Sequence, residues 1–194
     1  MARALQALLQ TWLSVAALFC VALGAHPAAA ELVNENLLAG LPSGYKVGFH
    51  DKQGNLEMTE WVPAKETVNN WTEMVTVQIF FGLKMPPEEF MRSLESRWRG
   101  ACPGAGDAQP IVGSVENGYP SLLWILECPK NPATGKPELT WIKGVQGNDS
   151  FYVVQKAFKF TPNKEQIVRW VEYLKAVRVC DSRLADRACP PSRN

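Results

Sequence analysis

Residues 70–82 constrain the fold more than any other stretch. Trp71, Val75, Val77, Ile79 and Phe81 recur at a spacing of two, interrupted only by Glu73, while Thr72, Thr76 and Gln78 take the alternate positions. That is the period of a half-buried β-strand. Its β-branched and aromatic content, and its stop at Gly82 shortly before Pro86-Pro87, place it near the middle of a sheet.

The first thirty residues read differently. Arg3 precedes an apolar run over 12–25, and Ala28-Ala29-Ala30 stands before Glu31, the three parts of an export signal over 1–30 with cleavage expected after Ala30. Cys20 follows Phe19 rather than a small residue, so acylation there is not expected, and the run is short against the ~20 residues that span a bilayer. No stable membrane span is expected once the signal is removed. Removing 30 of 194 residues leaves 164, a length that suits one domain. The 20 Lys and Arg, less Arg3, become 19 against 19 Asp and Glu. A neutral chain of this kind argues against nucleic-acid binding, which calls for a basic patch and net positive charge.

Four cysteines remain beyond the signal: Cys102, Cys128, Cys180 and Cys189. An even number in an exported chain points to disulfides. Three pairings are possible, and adjacency in sequence favours Cys102 with Cys128 and Cys180 with Cys189. A zinc site would normally show Cys-x-x-Cys knuckles, and there are none.

The remaining elements follow in order. Residues 31–43 are mixed and expected to be loosely ordered. Strands over 45–49 and 56–62 flank a turn at 51–55 and form a hairpin. After the central strand, Pro86-Pro87-Glu88-Glu89 opens a helix over 87–98 with Phe90, Met91, Leu94 and Trp98 on one face, stopping at Gly100. Asn117-Gly118 between the runs 111–116 and 121–128 is a strong hairpin signal. The unbroken apolar run 122–126 suggests a strand covered on both faces. A second hairpin joins 139–146 to 151–160 around Gly147-Asn148-Asp149. Thr161 is expected as N-cap and Pro162 as first residue of a last helix reaching 177, with Ile167, Trp170, Val171 and Leu174 as its apolar stripe. The single domain is placed at 44–180, and the polar tail 181–194 is expected to be clipped by a disulfide.

The predicted class is therefore α+β, a mostly antiparallel sheet of about six or seven strands with two main helices packed on it. This order of elements resembles the compact α/β/α sandwich of the Mog1 and PsbP families and of some bacterial periplasmic proteins. The resemblance is carried by residues 70–81, 87–98, 111–128, 139–160 and 161–177. It implies an accessory, assembly or binding role rather than a reaction.

The inventory for catalysis is thin. His26 falls within the signal, leaving His50 as the sole imidazole, with Ser43 and Asp51 nearby but no Gly-x-Ser-x-Gly elbow. No catalytic, cofactor-binding or metal-ligating residue is assigned, and no cofactor is expected. Paired carboxylates are the sharper alternative: Glu73, which breaks an apolar face, with Glu57 or Glu127, would suit a small hydrolase. The plainer reading of Glu73 is an acid near the strand's exposed beginning, or one that pairs with a Lys or Arg. Trp61, Trp71, Trp98, Trp124, Trp141 and Trp170 are spread over six elements, which favours core filling over a ligand groove. The sequons Asn70-Trp71-Thr72 and Asn148-Asp149-Ser150 are short enough to be incidental. The function expected is that of a periplasmic or secreted, non-enzymatic domain binding a partner protein or an apolar ligand.

Overall fold

The structure, a computed structural model, describes residues 32–191. The export signal, with Arg3, Cys20 and His26, lies outside the described residues. Along the chain run β1 (Glu35–Leu38), β2 (Tyr45–Gln53), β3 (Leu56–Pro63), β4 (Glu73–Phe81), α1 (Pro87–Ala101), β5 (Gln109–Glu116), β6 (Tyr119–Cys128), β7 (Glu138–Gln146), β8 (Ser150–Phe158), α2 (Lys164–Ala176) and β9 (Arg178–Asp181). Seven strands make one antiparallel sheet in the order β2-β3-β4-β8-β7-β6-β5, and β1 pairs with β9 in a separate two-stranded sheet. The fold is thus α+β and mostly sheet.

Alternation along β4 sorts its side chains to two sides. Val75 and Val77 join a core with Trp61, Leu123, Trp141, Val154, Trp170 and Leu174, which includes the buried face of α2. Phe80 joins the opposite core, where Phe90 of α1 meets Leu122, Trp124, Ile142, Phe151 and Val153. Phe90 stacks on Phe151 with ring centroids 4.5 Å apart. Burying such a ring contributes about 2–3 kcal/mol. The run 122–126 therefore serves both cores, which explains why β6 shows no polar alternation.

Several boundaries differ from expectation for local reasons. Residues 31–43 contain β1, whose partner lies almost at the other end of the chain, beyond the reach of a local pattern. The hairpin turn tightens to Gly54-Asn55 because β2 runs on to Gln53. Helix α1 continues through Gly100 to Ala101, since Cys102 still donates its N–H to the Trp98 carbonyl. In α2 the N-cap is Asn163 rather than Thr161: its side chain accepts from the Gln166 N–H while the Gln166 side chain accepts from the Asn163 N–H. That reciprocal box displaces Pro162 from the helix. Asn117 and Gly118 both take positive φ, 50° and 75°, as a tight hairpin turn requires.

The cysteines bond as Cys102–Cys128 and Cys180–Cys189, with Cα separations of 5.8 and 4.8 Å. The first ties the end of α1 to the end of β6. The second fastens the tail to β9. Among the described residues, no helix is long and apolar enough to cross a membrane.

Candidate functional site

The side of the sheet that carries α2 is only partly covered by it. Beyond the helix, β1 crosses above β3 and β4 and leaves a groove of about 460 Å³. Its floor is Trp61, Val77, Ile79, Phe81 and Tyr152, its wall Val33, Leu37 and Ala39, and its rim Asn34, Asn36, Glu57 and Asp149. Alternation puts Val77, Ile79 and Phe81 on one face: Val77 borders the core under α2, Ile79 is half-buried beside Leu37 of β1, and Phe81 is exposed. The volume lies within the ~300–1,000 Å³ range of ligand pockets, and the groove is open to solvent along one side.

Glu35 holds the wall in place. Its carboxylate accepts hydrogen bonds from the backbone N–H groups of Asn148, Asp149 and Ser150 at 2.5 to 3.3 Å, and from the Tyr152 hydroxyl at 3.0 Å. A Cβ at Gly147 would collide with this carboxylate and crowd the Tyr152 ring, so a side chain there would displace Glu35 from the turn. Burial and the nearby Glu35 charge push the Tyr152 hydroxyl above its ordinary range.

At the far end of β4, Glu73 and Lys156 form a buried pair 2.7 Å apart. Lys156 is fully buried and also donates to the Tyr45 hydroxyl at 2.7 Å, while its ammonium sits 3.8 Å above the Trp170 ring. All three of its N–H groups thus meet an acceptor or a ring face. Burial brings the Lys156 ammonium down to about 8, against the opposing hydrogen bond and charge of Glu73. Burial would raise the Glu73 carboxyl, but the Lys156 and Tyr45 hydrogen bonds and the Lys156 charge hold it below the usual value. Desolvation, reinforced by Glu73, drives the Tyr45 hydroxyl well above its usual range.

The carboxylates named from the sequence do not converge. Glu57 stands opposite Ile79, six positions along β4 from Glu73, or about 20 Å away. Glu127 reaches Glu73 through Leu139 and Phe158, three strand spacings or about 14 Å. Each is outside the ~5–9.5 Å that glycoside hydrolysis uses. Glu57 instead pairs with Lys52 at 3.5 Å. His50 bonds Thr59 Oγ1 at 2.8 Å, while Asp51, on the opposite face of β2, accepts from Lys52 N–H and Gln53. Trp61, Trp124, Trp141 and Trp170 are buried. Trp98 and Trp71 are partly exposed, the latter beneath the Lys159 ammonium at 3.7 Å.

Lys156 and Glu35 do not stand out in the sequence as site residues. The signal for Lys156 was a single cation inside the apolar strand 151–158. For Glu35 there was none, because its partners lie more than a hundred residues away.

No family model and no curated protein sequence matches the chain. Among solved structures it is similar to the Saccharomyces cerevisiae Ran-binding protein Mog1p, at 11% identity and a TM-score of 0.43 over 73% of this chain and 85% of that one. It is similar to PsbP of Synechocystis sp. PCC 6803, at 10% identity and a TM-score of 0.43 over 75% and 89%. It is also similar to LpqN of Mycobacterium tuberculosis, involved in cell envelope biogenesis, at 9% identity and a TM-score of 0.38 over 80% and 86%. The two families named from the order of elements are thus among the structures this chain is similar to. No residue role is carried over from them.

Proposed function

We propose that the protein is an exported, periplasmic or secreted, non-enzymatic domain with an accessory or assembly role. It takes an apolar ligand, or apolar side chains of a partner protein, into the groove between β1 and the β3–β4 half of the sheet. The observation that carries this reading is the pair Ile79 and Phe81, which stand outside the core under α2 and line a cavity of about 460 Å³. Two disulfides support export, since they persist in oxidising compartments. The export signal over 1–30 and a single domain over 44–180 remain part of the proposal.

Titration with 1-anilinonaphthalene-8-sulfonate, followed by displacement with palmitate, tests it. The wild type is expected to enhance the dye's fluorescence, and a folded Ile79→Glu variant to lose that enhancement. A wild type that leaves the dye unchanged removes the groove as the seat, as does a folded Ile79→Glu variant that binds as well as the wild type.

A further inference from the structure

The sheet ends in two edge strands that are guarded very differently. Edge β2 carries Lys46, Asp51 and Lys52 and a bulge between Val47 and Phe49, devices that discourage another strand from pairing. Edge β5 has no ionisable side chain from Gln109 to Val115. Its bulge and Pro110 blunt only the first residues, so the backbone from 112 to 116 is offered outward. Ile111, Val112 and Val115 are 47%, 41% and 71% exposed. Among the described residues, β5 pairs with β6 alone.

Beside this edge lies a second groove, of about 470 Å³, lined by Val112, Ser114, Glu116, Asn117, Lys175 and Arg178. Its charges do not balance. Glu116 is bound to the buried Lys143 and Lys175 to Glu172. The exposed Arg178 guanidinium has no hydrogen bond or ion pair among the described residues, so the groove keeps a surplus cation.

We propose that β5 takes up an extended, acidic segment of a partner protein as an added strand, its backbone pairing with 112–116 and an acidic side chain reaching Arg178. Main-chain hydrogen bonds supply the general affinity, and the aliphatic side chains and the cation supply the selectivity. A second copy of this chain fits less well, because a two-fold axis at the middle of β5 would bring both Lys175–Arg178 pairs toward each other. This surface is separate from the apolar groove under β1 and stands on its own observations.

The probe is a blocked peptide of four Val-Asp repeats, titrated into the 15N-labelled protein. Shifts and slowed amide exchange are expected at 112–116 and at Arg178. Arg178→Glu should weaken binding about two- to fivefold, the effect of one exposed ion pair. Val115→Glu, at a side chain that is 71% exposed and so tolerant of change, exchanges an aliphatic contact for a charge that repels the acidic peptide and should abolish binding, and so should N-methylation of the peptide's valines. The proposal is overturned by a peptide that leaves 112–116 unshifted or by equal affinity for a Val-Lys peptide. Shifts centred instead on Leu37 and Ile79 would overturn it too, while leaving the dye-binding groove in place. A sedimenting dimer that the peptide does not dissociate would assign the edge to a second copy and also overturn it.

Discussion

Lys156 and Glu73 face each other across adjacent strands, Nζ to Oε2 at 2.7 Å, with the lysine side chain at 0% exposure and the glutamate at 17%. Desolvating such a pair offsets much of its mutual attraction, but stranding one member is costly. Glu73→Gln leaves a buried ammonium without its counter-charge and is expected to destabilise by about 3–5 kcal/mol. Lys156→Met should cost less, since Glu73 retains a path to water. The double variant Glu73→Gln/Lys156→Met should cost much less than the sum. Urea unfolding of the four proteins measures the coupling, and simple additivity would refute it.

The same pair sets a pH signature. Glu73 is held below its ordinary 4.5, so its contribution is present above that value and is lost as pH falls through the lower native one. Lys156 titrates at about 8 in the fold against 10.5 in the unfolded chain. Between those values the unfolded state binds the extra proton, so stability rises with pH. Tyr45 is raised above 10.0, so its contribution declines as pH climbs beyond that. Wild type minus Lys156→Met, followed by urea midpoints from pH 7 to 10, should show the rise. A flat difference would contradict the burial of the ammonium.

Glu35 fastens the groove wall through three backbone donors at the β7–β8 turn. Glu35→Ala should cost about 1–3 kcal/mol by leaving those donors without their acceptor. Hydrogen exchange should then accelerate in β1 and at 148–150 together. Acceleration confined to one of them would show that the two are not coupled.

Both disulfides close loops, with sequence separations of 26 and 9. Chain entropy predicts a loss of about 3 kcal/mol for each double alanine variant, larger for Cys102→Ala/Cys128→Ala because its loop is longer. Urea unfolding ranks the two, and the reverse order would point to strain or residual structure in the reduced chain.

Much of the fold was legible because its main signals are local. Alternation in β4, the apolar run of β6, Asn117-Gly118 and the apolar stripes of α1 and α2 each act within a few residues. What escaped depends on distance. The strand β1 is only four residues long and gains its conformation from β9. The cap at Asn163 was missed because Thr161-Pro162 offers a plausible start two residues earlier. The groove was not legible at all: it is a gap, defined by where a helix fails to reach, and no residue type marks that. Glu73 announced itself by breaking a pattern, yet its partner Lys156 could be named only once β4 and β8 were seen side by side.

The pairing of β1 with β9 joins the two ends of the described chain. During synthesis β1 must therefore wait unpaired until β9 is delivered, and the wall above the groove cannot be set before β9 has emerged. Unpairing β9 would accordingly be felt at β1, in a groove to whose lining β9 contributes no side chain.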